Sequence, residues 1–147
     1  FGTVRGSIVW NDADISKSSV SAEIDAASLD TRTEQRDQHL RSADFLHVEQ
    51  HPTITFASTR VEPVGRDHYR VVGDLTIRGT TKSVTMDTTF NGKGVSPYGK
   101  QVAGFSAETS INRKDWGLNW NVALEAGGVL VGDTIKIAIE AEAVKEG

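Results

Sequence analysis

Residues 68–79, HYRVVGDLTIRG, alternate over their whole length, with Tyr69, Val71, Gly73, Leu75 and Ile77 on one face and mostly polar neighbours on the other. A period of two marks a strand with one face in water. Upstream, Gly65-Arg66-Asp67 supplies the turn chemistry that joins this strand to the one before it as an antiparallel hairpin. Downstream, Gly79-Thr80-Thr81 makes a short connection into a strand with Val84, Met86, Thr88 and Phe90 on one side, breaking at Asn91-Gly92.

The alternation continues in both directions. Residues 3–10 oppose Val4, Ile8 and Trp10 to Thr3, Arg5 and Ser7, and Asn11, Asp12 and Asp14 then turn the chain. Residues 20–29 oppose Val20, Ala22, Ile24 and Ala26 to Ser21, Glu23 and Asp25. Ile54, Phe56 and Ser58 stand against Thr53, Thr55 and Ala57. Residues 93–101, with Gly94, Pro97 and Gly99, read as a loop. The strand VAGFSAETSIN follows, aligning Ala103, Phe105, Ala107, Thr109 and Ile111. Residues 113–128, RKDWGLNWNVALEAGG, hold no period and read as an ordered loop or a short irregular hairpin. In the last strand Val131, Ile135, Ile137, Ile139, Ala141 and Ala143 alternate with Thr134, Lys136, Glu140 and Glu142. Seven such segments, mostly joined by short turns, make an antiparallel meander, because crossover helices are absent. A meander of this length closes into a barrel or folds as a sandwich to protect its edges.

One island breaks the pattern: DTRTEQRDQHLRSADFLHVEQHPTITF, residues 30–56. Thr31 and Glu34 have the spacing of a capping box, which predicts a helix beginning near Arg32. Asp37 and Arg41 stand four apart in the favourable orientation, Ser42 offers a second cap with Asp44 in its first turn, and Pro52 stops the helical part. A helical insert at about residues 32–46 is expected, as a lid on the barrel.

At 147 residues the chain fits one domain, 1–147, with a working core. The absence of cysteine excludes a disulfide scaffold and thiolate metal sites but leaves the compartment open, either cytoplasmic or exported. A net charge of −4 with 16 scattered Lys and Arg residues argues against nucleic acid as a partner. No apolar run approaches the roughly 18 residues of a transmembrane segment. The inward set is rich in small residues, namely Ala22, Ala26, Gly73, Ala107, Ala141 and Ala143. They either leave room for a ligand or match larger residues across a filled core.

Five fragments in order, EQRDQHLRSADFL (34–46), HPTITF (51–56), GDLTIRGTTKSV (73–84), INRKDWGL (111–118) and GGVLVGD (127–133), closely resemble the bacterial polyisoprenoid-binding, YceI-like family across nearly the whole chain. The resemblance implies an all-β fold: an eight-stranded antiparallel lipocalin-like β-barrel with a helix between the third and fourth strands and a long apolar pocket. It also implies that homodimers are common. The seven visible strands fit if the first is missing, since members usually carry about one more strand upstream of the position matching Phe1.

Candidate chemistry is sparse. His47 and His51 are four apart, but Pro52 breaks the helix that would converge them, and no third ligand has an established spacing, so no metal site is expected. No nucleophile elbow, H-E-x-x-H or phosphate loop occurs, so neither catalytic residues nor cofactors are expected. Glu23 with Asp25, Glu140 with Glu142, and Glu108 fall on the outer face as solvating charge. By the resemblance, Arg36, Asp37 and His39 hold the helix to the barrel rim or face a ligand's polar head. Arg113, Asp115 and Trp116 either close the pocket mouth or form a buried structural ion pair. The expected function is to bind, carry or sequester a long apolar lipid (polyisoprenoid, isoprenoid quinone or fatty-acyl) without catalysis. The expected lining is Val20, Ala22, Ile24, Ile54, Phe56, Val71, Leu75, Met86, Phe105, Ala107, Ile135, Ile137 and Ile139. The alternatives are an enzyme using His39 or Asp115 on a lipophilic substrate, and a packed-core dimer or interaction module.

Overall fold

The computed structural model describes residues 1–11, 13–95, 97, 99–121 and 131–144. Its strands are β1 (Val4–Val9), β2 (Ser19–Asp25), β3 (Thr53–Gly65), β4 (His68–Ile77), β5 (Thr80–Val95), β6 (Gln101–Asn112) and β7 (Thr134–Val144). They form one antiparallel sheet in the order β1 to β7, curled into a half-barrel. Every strand pairs with its neighbour in sequence, as short turns and the absence of crossovers require.

The alternating pattern places one side chain set on the concave face. Leu75 pairs with Phe56, Val71 with both Val61 and Met86, and Ile111 with Ile135. The buried core gathers there: Ile54, Phe56, Val61, Val71, Leu75, Ile77, Val84, Met86, Ile111, Trp116 and Leu118.

Two strands outrun the alternation in the sequence. β3 continues through Pro63 to Gly65, with register shifts at Ser58/Arg60 and Pro63/Gly65. The first shift skips Thr59, so Val61 regains the inner face although its parity is opposite to that of Phe56. β5 does not break at Asn91-Gly92. It bulges between Phe90 and Gly92, where Gly92 takes φ 120°, and runs on to Val95, so residues 93–95 and Gln101 are strand rather than loop. In the other direction, β2 ends at Asp25. Ala26 belongs to a 3-10 turn, Ala26–Ser28, not to the strand alternation.

Helix α1 (Glu34–Arg41) is shorter than expected. It starts from Thr33, with Glu34 and Asp37 in its first turn and Arg41 in its last, charges that complement the helix dipole. The capping box does not form. Thr31 lies too far upstream, and its hydroxyl donates to the Asp37 carboxylate instead. Ser42 closes this helix, its amide and hydroxyl both donating to the His39 carbonyl, and its hydroxyl also accepts from the Asp44 amide at 3.4 Å, capping a turn rather than a second helix. The ordered loop or short irregular hairpin expected after β6 begins with a 3-10 turn, Arg113–Trp116, followed by residues 117–121, and its remainder lies outside the described residues.

Because the sheet is a meander, its connections fall at two ends. Segment 26–52, residues 113–121 and 131–133, and the turn Arg78-Gly79 lie at the end where α1 sits. The opposite end holds segments 10–18 and 96–100 and the turn Arg66-Asp67.

Candidate functional site

The concave face is solid at its centre and open at its flanks. Phe56, Val71, Leu75 and Met86, on the three central strands, are buried, as is Ile54 beside them. A side chain at Gly73 would meet the Phe56 ring at 2.5 Å and the Ala57 carbonyl at 2.6 Å. Gly73 is therefore a seat for an aromatic ring and not part of a cavity, so at this position the small residue matches a larger one beside it.

The flanks differ. Val20, Ala22 and Ile24 on β2, Ala107 on β6 and Ile137 on β7 pack against the core but stay half-buried. Ile135 and Ile139 share the inner face by register with Ile111 and Ala107, yet keep 37% and 36% of their surface exposed. Across the opening, Val4 and Ile8 on β1 face the same way, paired with Ile24 and Val20. All thirteen residues expected to line the lumen thus lie on one concave surface, with Phe105 buried near the end away from α1.

The end away from α1 is closed by rings. Trp10, just past β1, reaches the far wall and meets Tyr69 at 5.1 Å edge-on, Phe105 at 5.5 Å and Phe90 at 5.9 Å, nearly stacked. Such pairs are worth about 0.5–1.5 kcal/mol each beyond their burial. Parity placed Trp10, Tyr69 and Phe90 on apolar strand faces but could not show that they converge. Val61 escaped because the bulge reverses its parity, and Leu118 because it sits in a loop without a period.

The α1 end is closed by polar ties. The Thr31 hydroxyl donating to Asp37 holds that buried carboxyl below the usual carboxylate range; burial opposes this, while the Thr31 amide and the charges of Arg41 and Arg36 reinforce it. Arg36 spends its guanidinium on the Thr31 hydroxyl and carbonyl, at 2.8 and 2.9 Å. Arg41 donates to the Ala27 and Leu29 carbonyls at 3.1 and 2.6 Å, fastening the helix to the chain after β2.

Arg113 is 2% exposed and donates to four carbonyls: Gly132 at 2.8 Å, Trp120 at 3.0 Å, Val131 at 3.3 Å, and Leu118. Among the described residues it stands 3.9 Å from one carboxylate, that of Asp133, while Asp115 is exposed to solvent. Trp116 is buried and donates its indole N–H to the Leu75 carbonyl at 2.9 Å. The three residues therefore do not act together. Arg113 and Trp116 organise backbone, and Asp115 is exposed.

His39 is the expected rim residue with accessible ring atoms. Its Nε2 lies 2.9 Å from Asp44, and its ring stands edge-on to Trp120 at 4.5 Å and Phe45 at 5.1 Å. His47 and His51 lie 6.0 Å apart between ring centroids, and His51 packs over Gly79, whose φ of 75° requires glycine there. Among the described residues, no group of three or more His, Cys, Asp or Glu side chains could hold a metal. A separate open groove of about 490 Å³, lined by Gln38, Arg41, Ser42, His47, Val48 and Glu49, lies on the insert and not on the sheet.

On the outer face, Glu23 pairs with Arg5 at 2.8 Å, and Glu140 accepts from the Ser106 hydroxyl at 2.7 Å. Neither faces the concavity.

Comparison with known proteins agrees with this architecture. The chain is 38% identical over 146 residues to a UPF0312 protein of Pseudomonas putida, covering 99% of this chain and 72% of the relative. A UPF0312 protein of Staphylococcus epidermidis is 42% identical over 130 residues, covering 88% and 73%. Among solved structures, a YceI protein of Campylobacter jejuni superposes with a TM-score of 0.85 at 27% identity, over 100% of this chain and 84% of that one. BcnA of Burkholderia cenocepacia shares the fold with a TM-score of 0.80 at 23% identity, over 96% and 84%. Since the YceI-like domain profile also matches residues 1–143, the chain belongs to the YceI-like polyisoprenoid-binding family.

Proposed function

We propose that the concave face takes up a long apolar chain of polyisoprenoid, isoprenoid quinone or fatty-acyl type, and that the protein binds, carries or sequesters it without catalysis. The observation that carries this reading is the contrast across the inner surface. Ile135 and Ile139 point inward by register but touch too little to be buried, while the centre of the same face is filled. Apolar side chains facing an unfilled concavity are what an apolar ligand would cover. The family binds apolar ligands, which supports the same reading.

Burial of each ligand methylene contributes about 0.8 kcal/mol before ordering costs, so a tail alone can hold tightly with little selectivity for its head. The saturation of Arg36, Asp37 and Arg113 by backbone and Thr31 fits a binder that selects by tail. Organic-solvent extraction of the purified protein followed by mass spectrometry is the direct test; an extract no richer in lipid than a mock preparation would contradict the proposal. Ala107→Trp fills the inner face between Thr88 and Ile139. It should leave the circular dichroism spectrum intact and reduce lipid uptake at least about tenfold, the loss of two buried methylenes' worth of contact. Uptake at the wild-type level would show that the ligand lies elsewhere.

The enzyme reading rests on one observation, the His39–Asp44 pair. Chemical alteration of a bound isoprenoid on incubation, abolished by His39→Ala, would favour it over simple carriage.

A further inference from the structure

The four rings at the end away from α1 do not belong to one wall. Tyr69, Phe90 and Phe105 stand on the neighbouring strands β4, β5 and β6, whereas Trp10 follows β1, with β2 and β3 between it and β4 in the sheet order. The contacts of its indole with all three rings, at 5.1 to 5.9 Å, therefore cross the concavity. Of the four, Phe105 is buried, while Trp10, Tyr69 and Phe90 are half-buried, so the cluster keeps ring surface that its own members do not cover.

The inner face continues past the level of the rings. Facing pairs on β6 and β7 run from Ile111 and Ile135 near α1, through Phe105 and Ala141, to Ala103 and Ala143. That last pair lies one step beyond the rings and is half-buried on both strands. From Ile135 to Ala141, level with Phe105, β7 covers about 20 Å at the rise of an extended strand. A tail laid along this flank from the α1 end thus runs about that far before it meets the indole. The two closed ends also differ in what they suit. A methyl terminus against rings leaves no hydrogen bond unmade, whereas a carboxyl or hydroxyl buried there would lack a partner.

We propose that Trp10 is the stop that sets the length of tail the protein accepts, with the methyl terminus against the indole, the head toward α1, and the alanine step beyond kept out of reach. Tyr69, Phe90 and Phe105 hold the indole in place from the opposite wall. This deepens the ligand reading and rests on it: a binder that selects by tail gains a definite limit.

Saturated fatty acids of increasing length, titrated calorimetrically against the purified protein, test the stop. In the wild type, affinity should rise about fourfold per methylene and cease rising at one length, where the terminus meets the indole. Trp10→Ala should move that limit up by at least about two methylenes, a gain of roughly fifteenfold for an acid two methylenes past the wild-type limit. Trp10→Leu, which removes less, should move it the same way, and circular dichroism verifies that each variant is folded. A limit that does not move in a folded variant, or a wild-type affinity that climbs without limit, overturns the proposal and leaves the ligand reading standing. Absence of binding at every length removes both.

A second measurement places the terminus even if neither variant folds. An acid of the limiting length with bromine on its terminal carbon should quench the wild-type tryptophan emission. It should quench Trp10→Phe far less, because that variant keeps a ring at this end and retains only Trp116 and Trp120 as emitters. Equal quenching of the two proteins would put the terminus by those tryptophans, at the α1 end, and overturn the proposal.

Discussion

At the α1 end of the sheet a buried cation gathers four carbonyls and a buried carboxylate ties down the helix entry. At the opposite end four aromatic rings meet across the interior. The lengths of the connections explain the difference. Segments 26–52, 113–121 and 131–133 take many backbone groups out of the sheet ladder, and each buried one needs a partner. Polar side chains supply them. The far end, apart from segments 10–18 and 96–100, has only the turn Arg66-Asp67, so fewer orphan groups arise there and apolar closure suffices.

Three substitutions probe that division. Arg113→Met should have the largest effect, about 3–5 kcal/mol in urea denaturation, because several carbonyls lose their donor at once while the side-chain volume is kept. A loss under about 1 kcal/mol would mean that water replaces the guanidinium and that the polar closure is dispensable. Trp10→Ala should cost about 2–4 kcal/mol, somewhat less than a fully buried tryptophan, by opening the aromatic end. It should also shift the tryptophan emission; unchanged stability would show that Tyr69, Phe90 and Phe105 close that end unaided.

Asp37→Asn should have a smaller effect and one confined in pH. The Asp37 carboxyl titrates lower in the folded protein than in the unfolded chain, so its contribution is present above the unfolded value of about 3.9 and is lost as pH falls through the folded value. The wild type should therefore lose stability more steeply below about pH 4 than Asp37→Asn, the two curves converging in acid. Parallel curves would remove the carboxylate from the fastening of α1. Trp10→Ala should run parallel to the wild type throughout, since no titrating side chain belongs to the ring cluster in this range.

The strands were legible wherever alternation ran unbroken, as in β4 and β7, and the inward set followed from the same parity. Bulges hid the rest. Ser58/Arg60 reverses the parity of Val61, and Phe90/Gly92 absorbs a turn signal into a continuing strand. The spacing of Thr31 and Glu34 was genuine, but Asp37 competes for the same hydroxyl, a choice no local spacing reveals. Arg113 looked like a partner for Asp115 because they are neighbours in sequence. Its actual partners are carbonyls, which are the same in every residue and leave no trace in the side-chain code.

The strictly sequential order of the sheet also bears on how the chain assembles. Each strand pairs only with its neighbours in sequence, so pairing can advance hairpin by hairpin without waiting for a distant segment. The steps are unequal: closing the span from 26 to 52 costs roughly 2 kcal/mol more loop entropy than closing Arg78-Gly79. The β3–β4 and β4–β5 hairpins, each closed by a two-residue turn, are thus the natural seeds, and the joining of β2 to β3 across α1 is a slow step in the order of events.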